Sequence, residues 1–395
     1  MDAVWMLDDD LDLSQLRLAD DKLKRGTWVR YFEEIEAMRD QHPEVSFAVG
    51  SVCGDPHIRP QAILATQLLD VTVNLRRFAG LTPTELYTCP DQDALFELPD
   101  YYYDHSRLGS EHLHRPFLWL GRTSEGTVRA ETLAYLRAAA GITAGKTPTR
   151  PLLMSRNRGP RQPVTNLLRG GNAVFFDLDA LFGHTYPAVN ISGLTTRRSD
   201  MVGAALLARS GGTWVADFAC PVLHEREESL DESVEPDDAS GARYVLDRMA
   251  EEFFGVLLAR AVMDGEAGEP LGSERLSTLA RERAVQVVCR LQDAQVRCAE
   301  ALATLDEALA GWMGQGPDIL LALTQLRSAF LRLKRIELGG ADEASQARWQ
   351  VAVSETLLNP MGIETIVAFA RDELTAIADQ QRQTLVAILQ GGRHV

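Results

Sequence analysis

The sequence predicts an α/β region, with a mixed sheet and flanking helices, followed by an all-helical region. Up to about residue 230, short runs of apolar and β-prone residues are broken by Pro and Gly clusters, as in the strands and turns of a sheet. After residue 240, apolar residues recur at three-to-four spacing, which is typical of amphipathic helices. The acidic residues 225–241 separate the two patterns. We therefore expect an α/β domain over residues 1–230, an acidic linker over 231–241 and a helical domain over 242–395.

Strands and helices alternate in the first region. The apolar pattern predicts strands over residues 4–7, 45–53, 173–176 and 214–224, and helices over 61–78, 131–140 and 199–208. In the second region it predicts five helices, over residues 242–263, 276–309, 319–338, 343–358 and 363–389. The apolar faces of these five helices are wide enough to pack on one another or on a protein partner.

Composition excludes several classes of protein. The chain of 395 residues is 45% apolar and 24% charged, which is the composition of a globular protein with full cores. A net charge of -16 argues against a general nucleic-acid binder, which needs a basic face. The five cysteines show no metal-binding spacing, and no apolar run is long enough for a transmembrane segment. We therefore expect a cytoplasmic protein with reduced thiols.

Acidic residues follow directly on the first predicted strand. Asp8, Asp9 and Asp10 come after the apolar residues 4–7, where a buried strand emerges from its sheet. Carboxylates crowded at such a point repel one another unless a cation lies among them, and hard divalent cations take oxygen ligands. The simpler interpretation is a solvated turn followed by a helix N-cap.

Three later stretches of the chain also contain residues that could contact a charged ligand. In RGGNAVFF, Gly170 and Gly171 allow the backbone to approach a ligand closely. In RRSD, the arginine pair is suited to phosphate oxygens, although the acid can equally cap the following helix. In PVLHER, a histidine ends a strand, where a surface role is also common. The side chains of interest are Arg197, Arg198, Asp200 and His224.

Taken in order, these motifs resemble those of the GT-A glycosyltransferases, especially the family-2-like group. The resemblance covers about residues 1–230, within which residues 55–150 would be an insertion. It implies that the protein binds a nucleotide-sugar donor, an unknown acceptor and Mn²⁺ or Mg²⁺. It makes Asp8 and Asp10 the ligands of the metal and the diphosphate, and His224 the third metal ligand. It makes Asp200 the catalytic base. The arginines and glycines named above would line the donor and acceptor sides.

The resemblance also predicts that the nucleotide-recognising half of the domain is missing, because only seven residues precede Asp8. A degenerate, non-catalytic transferase-like scaffold that binds other proteins through its helical region is therefore the main alternative. A strand-borne Asp-x-Asp also occurs in haloacid-dehalogenase-like phosphatases. Those proteins carry Thr or Val two residues after the second Asp, where this chain has Asp12.

Two further segments can contribute charge to the same site. Asp55 follows the predicted strand 45–53 in a Gly-Asp-Pro sequence, which either brings a carboxylate to the sheet edge or is only a turn. The segment 150–163 carries four arginines, the first of them Arg150. It is predicted either to close over an anionic donor or to be a solvated basic loop.

Overall fold

The architecture is taken from a computed structural model of the whole chain. It describes residues 3–7, 11–19, 22–55, 60–89, 115–123, 125–154, 164–165, 173–177, 189–191, 193–209, 214–225, 238–265, 270–312, 314–340 and 342–391.

The largest sheet has six strands. In spatial order they are β1 (Ala3–Leu7), β7 (Ala173–Asp177), β5 (Val45–Gly54), β10 (Trp214–His224) and β2 (Leu11–Asp12), and β6 (Val164–Thr165) pairs with the earlier part of β10. β5 and β10 are parallel, and β7 is antiparallel to both β1 and β5. The carboxyl ends of β1, β5 and β10 therefore point toward the same edge of the sheet.

Two small hairpins complete the β structure. β3 (Gln15–Ala19) pairs with β4 (Lys22–Gly26), and β8 (Asn190–Ile191) pairs with β9 (Leu194–Thr195). Helix α1 (Tyr31–Gln41) packs on the large sheet through Ile35 and Met38, which join Val45, Ala48 and Phe175 in a small core.

The remaining elements are helical. The helices α2 (Pro60–Ala79), α3 (Val128–Ala140, followed by a 3₁₀ turn at Gly141–Ala144) and α4 (Ser199–Arg209) precede the acidic segment. They are followed by α5 (Asp238–Met263), α6 (Ser273–Gly311), α7 (Pro317–Ile336), α8 (Glu343–Leu357) and α9 (Pro360–Gly391). The predicted helices and the four long predicted strands are thus confirmed, with ends that shift by at most four residues.

One large core joins helices from both sides of residue 230. α2 packs along α6, α3 packs on α7, and α4 packs on α5 and α9. The buried side chains of this core come from all of these helices and from α8, for example Leu68, Leu136, Val202, Leu291, Phe330 and Val353. The fold is therefore mixed, with a small sheet beside a larger helical part that includes α2 and α3. Among the described residues, no helix is both long and apolar enough to cross a membrane.

Charged side chains are buried where α2 meets the extended segment 115–123. Asp70 and Arg150 form a two-pronged ion pair, with Nε to Oδ2 at 2.6 Å and Nη2 to Oδ1 at 2.7 Å, and neither side chain is more than 1% exposed. Asp70 also accepts bonds from Thr149 Oγ1 and the amide of Phe117. Arg150 therefore belongs to the core, so neither prediction for segment 150–163 holds for this arginine. Residues 155–163, with the other three arginines, lie outside the described residues.

Side chains also satisfy several backbone groups of the segment 115–123. Asn74 bonds both the carbonyl of Phe117 and the amide of Trp119. Glu131, itself buried, accepts bonds from Trp119 Nε1, the amide of Arg122, and the amide and hydroxyl of Thr123. Burial raises the pKa of Glu131, but these hydrogen bonds outweigh it and hold the pKa below its usual value.

We predict a large difference in reactivity among the cysteines. Burial raises the pKa of the Cys53 and Cys298 thiols to about 12, from 9.0, so that at pH 8 their thiolate fraction falls roughly a thousandfold. Cys89 and Cys289 are partly exposed. Alkylation of the native protein at pH 8, mapped by mass spectrometry, should label Cys89 and Cys289 and reach the buried pair only after unfolding. Labelling of native Cys53 as fast as Cys289 would contradict this prediction.

Candidate functional site

Two of the residues singled out in the sequence lie at the carboxyl ends of the parallel strands: Asp55 directly follows β5, and His224 ends β10. Ligands commonly bind at such strand ends. β1 ends at Leu7, immediately before Asp8, and β10 ends at His224. His224 lies opposite Leu11 of β2, the residue that follows Asp10 in the chain. Asp8 and Asp10 themselves lie outside the described residues, as do Gly170 and Gly171.

His224 is held in one ring orientation. Its side chain is only 3% exposed, and its Nδ1 lies 2.5 Å from the carbonyl oxygen of Asp55. Because a carbonyl only accepts hydrogen bonds, Nδ1 carries the proton and donates it, and the lone pair of the neutral ring is on Nε2. A carbonyl that fixes the tautomer in this way is typical of metal-binding histidines. His224 therefore has the chemistry of a nitrogen ligand for Mn²⁺ or another divalent cation.

Gly54 makes this contact possible. It has a φ of +90°, which glycine adopts readily, and a Cβ at this position would lie 2.3 Å from the carbonyl oxygen of His224. The backbones of β5 and β10 are therefore in close contact where the two strands end. The amide of Asp55 donates to the same carbonyl oxygen of His224 at 2.8 Å, which ties the two strand ends together.

A second group of charges surrounds Asp55. Its Oδ1 accepts bonds from the amide and the hydroxyl of Thr147, at 2.8 and 2.9 Å. Arg122 donates from Nη2 to the carbonyl of Pro148, the residue after Thr147. Its guanidinium carbon lies 4.4 Å from the centroid of the Trp119 ring. Arg122 is close enough to Asp55 and Glu225 to interact electrostatically with both carboxylates. Asp55 thus directly follows β5, and its carboxylate binds Thr147; its role in a ligand site stays a prediction.

An exposed ion-pair network lies beside His224. Arg25 of β4 donates from Nη1 to Glu225 at 2.8 Å, from Nη2 to Asp12 at 3.0 Å, and from Nε to the Ser14 hydroxyl. The hydrogen bond from Ser14 lowers the pKa of Asp12 most; burial opposes it, and the charge of Arg25 lowers the pKa further, so that it lies below its usual value. Asp12, the last of the opening acids, is therefore neutralised by a cation of the protein itself.

The RRSD motif lies at the start of α4 and contacts α5. Arg198, the one described non-glycine residue with positive φ (67°), donates from Nε to Glu252 at 2.6 Å. Arg197 is exposed, and its carbonyl oxygen lies so close to Gly255 of α5 that a Cβ there would be 1.9 Å away. Asp200 is the second residue of α4, although its side chain is outside what the structure describes.

The described residues alone do not assemble a metal site. No group of three or more His, Cys, Asp or Glu side chains with metal-binding geometry occurs among them. The proposed ligand set depends on Asp8 and Asp10, which are not among these residues. The arrangement that the structure does describe is one oriented histidine, two arginines (Arg25 and Arg122) and three carboxylates (Asp12, Asp55 and Glu225).

Sequence reasoning missed two cations of this edge, Arg25 and Arg122. Arg25 lies in a polar hairpin, and Arg122 follows the tryptophan on which it stacks. For Arg122 the available signal was Trp119, three positions earlier in the chain. This spacing does not indicate which edge of the sheet the two side chains will reach. Comparisons with models of known protein families, with curated proteins and with solved structures find no match for this chain.

Proposed function

We propose that the protein is a metal-dependent glycosyltransferase, with a GT-A-like α/β part, that uses a nucleotide-sugar donor. In this proposal Asp8, Asp10 and His224 hold Mn²⁺ or Mg²⁺, and Asp200 is the base that takes the proton of the acceptor hydroxyl. The observation that carries the proposal is the pairing of His224 with Leu11, which follows Asp10 directly. The acid cluster of the sequence thus leads directly into the residue that pairs with this histidine, which supports a shared site.

The residues present fit a divalent cation. Asp8 and Asp10 offer oxygen ligands, and the tautomer imposed on His224 by Asp55 offers a nitrogen lone pair. Such a cation, when bound, neutralises the charge that develops on a diphosphate leaving group. Arg122 adds a cation at the same edge, where its fork of donors suits a phosphate oxygen. Arg197 is available for a similar contact because it is exposed, whereas Arg198 would first have to leave Glu252.

The proposal predicts that Mn²⁺ together with a nucleoside diphosphate stabilises the protein. At a ligand concentration a hundred times Kd, binding adds about 2.7 kcal/mol, which amounts to a rise in Tm of several degrees. The measurement is thermal unfolding with MnCl₂ and UDP, GDP or ADP in turn. The double variant Asp8→Ala, Asp10→Ala should lose the rise.

The matched control is the double variant Asp306→Ala, Asp318→Ala. It removes the same charge from two exposed acids of the helical part, which pair with Arg327 and Arg129. This control should keep the full response to Mn²⁺ and nucleotide. Absence of a metal-dependent shift with every nucleotide would contradict the transferase proposal for this chain.

The scaffold alternative makes the opposite prediction. A degenerate domain would respond to neither metal nor nucleotide, and the Asp8 and Asp10 substitutions would leave every property of the helical part unchanged. Three valines on the outer faces of α6 and α8 favour a surface that other proteins can contact, since each is more than half exposed: Val285, Val296 and Val351. The thermal experiment therefore separates the two functions.

A further inference from the structure

The solvent-facing side of α6 carries an uncharged stripe about 27 Å long. Solvent-facing sides of helices normally carry charged residues, but here Val285 and Val296 are 59% and 57% exposed. The positions recur at alternating spacings of four and three residues, the heptad spacing of helices that pack on another helix. The residues of this α6 stripe, all exposed or partly exposed, are Val285, Cys289, Gln292, Val296, Ala299 and Ala303.

The α6 stripe is complementary in shape to a second copy of itself in antiparallel orientation. A two-fold axis at the level of residue 294 places the larger residues of one copy opposite the smaller residues of the other, which fills the space between two helices. In a parallel pair Val285 would meet Val285 and Ala303 would meet Ala303, so one end would be wider than the other. The antiparallel pairs are Val285 with Ala303, Cys289 with Ala299, and Gln292 with Val296.

Charges at the two ends of the stripe favour the same orientation. Arg281 precedes the stripe and Glu307 follows it, and both side chains are exposed. Arg281 donates to the carbonyl of Ser277, and neither Arg281 nor Glu307 forms an ion pair in the part of the chain that the structure describes. The antiparallel pair places Arg281 of each copy opposite Glu307 of the other. A parallel pair would place like charges together.

The acidic residues that flank the stripe have cations beside them. Arg297 pairs with both Asp293 and Glu300, at 3.6 and 3.1 Å. Arg327 of α7 pairs with Asp306. These ion pairs limit the repulsion between two copies of this acidic chain.

We infer that the α6 stripe is the interface of a two-fold symmetric homodimer, in which α6 of one chain packs antiparallel on α6 of the other. In such a dimer one self-complementary surface is sufficient, because each contact occurs twice. The antiparallel arrangement also brings opposite ends of the two helix dipoles together. The homodimer does not depend on the proposed transferase activity, since no residue of the stripe belongs to the sheet edge at His224.

Sedimentation velocity of the full chain tests the homodimer. As concentration rises, a species of about twice the 43.6 kDa mass of one chain should form. Val296→Glu places a carboxylate in the middle of the interface and should raise the dimer Kd at least tenfold. The matched control is Leu321→Glu on α7, which replaces a side chain that is 59% exposed and lies outside the stripe. Its dimer Kd should stay within twofold of wild type, and both variants should keep the wild-type circular dichroism spectrum.

A charge exchange tests the contact between the two ends of the stripe. Arg281→Glu should weaken the dimer, because it sets two acids against each other at both ends of the interface. The double variant Arg281→Glu, Glu307→Arg should restore the wild-type Kd, since each pair again has opposite charges. A purely local effect of position 281 on α6 would not be reversed by a change at position 307.

Disulfide cross-linking tests the orientation of the helices. Ala299→Cys places a thiol opposite Cys289 of the second copy, so mild oxidation should link two chains covalently. Ala310→Cys, further along the same side of α6, would face Thr278 and should give no link. Alkylation of wild-type Cys289 should also become slower as protein concentration rises, whereas alkylation of Cys89 should not change.

Four results would overturn the inference. They are a chain that stays monomeric at every concentration, an equal rise in dimer Kd for Leu321→Glu, failure of the charge exchange to restore the dimer, and oxidation that links wild-type chains through Cys289. The last result would indicate parallel helices.

Discussion

Replacement of Asp70 by Ala is expected to lower the free energy of unfolding by about 3–5 kcal/mol. Arg150 is fully buried, and its guanidinium is held by both oxygens of Asp70. Without that carboxylate a charge stays in the core with only weaker partners, such as the carbonyl of Arg115 and the ring of Phe117. The Thr149 hydroxyl and the Phe117 amide would lose an acceptor as well. Denaturation with urea, followed by circular dichroism, measures the loss.

Two further variants show that burial causes this effect. Asp318→Ala breaks the ion pair with Arg129, in which both side chains are at least one-third exposed, and should cost far less stability than Asp70→Ala because water screens the pair. The double variant Asp70→Ala, Arg150→Met should recover part of the stability lost by Asp70→Ala, because it removes the uncompensated charge. A double variant less stable than the single one would contradict this explanation.

Replacement of Gly54 by Ala is expected to cost about 2–4 kcal/mol, through backbone strain and steric overlap together. The φ of +90° disfavours any residue with a Cβ, and the new methyl group would overlap the carbonyl oxygen of His224 at 2.3 Å. The ends of β5 and β10 would have to separate. The contact between Asp55 and Nδ1 of His224 would be lost with them, so the variant should also weaken Mn²⁺ binding if His224 is a ligand.

Gly126→Ala is the matched control for Gly54→Ala. Gly126 also has positive φ, at +64°, but a Cβ there would meet nothing within 4 Å. Its cost should therefore be the backbone strain alone, about 1–2 kcal/mol. Equal losses in the two variants, measured by thermal unfolding, would show that the approach of His224 contributes nothing.

The helices could be predicted closely because their signal is local. The apolar spacing of α5 to α9 predicts each helix to within a few residues of its observed ends, and the same holds for α2. The partners of these helices have no such local signal. α2 was expected within an insertion of the α/β domain, yet it packs along α6, more than two hundred residues later in the chain.

The candidate site was predictable only in part. The positions of Asp55 and His224 at strand ends followed from the β pattern, since a strand that ends at a sheet edge exposes the residues after it. The tautomer of His224 could not be predicted from this pattern. It depends on the carbonyl of Asp55, which the parallel pairing of β5 and β10 brings within 2.5 Å of Nδ1. The partner of Arg198 could not be predicted either, because Glu252 lies 54 residues further along the chain, in another helix.

The sequence by itself determined the four long strands, the helices other than α1, the acids that follow β1 and the histidine that ends β10, because these depend on periodicity and on strand ends. Only the tertiary structure decided which charges are neutralised inside the protein. It paired Arg150 with Asp70, Arg198 with Glu252 and Arg25 with Asp12 and Glu225. The physical reason is that an arginine has the same charge wherever it lies in the sequence, whereas its partner and its burial depend on contacts between distant segments.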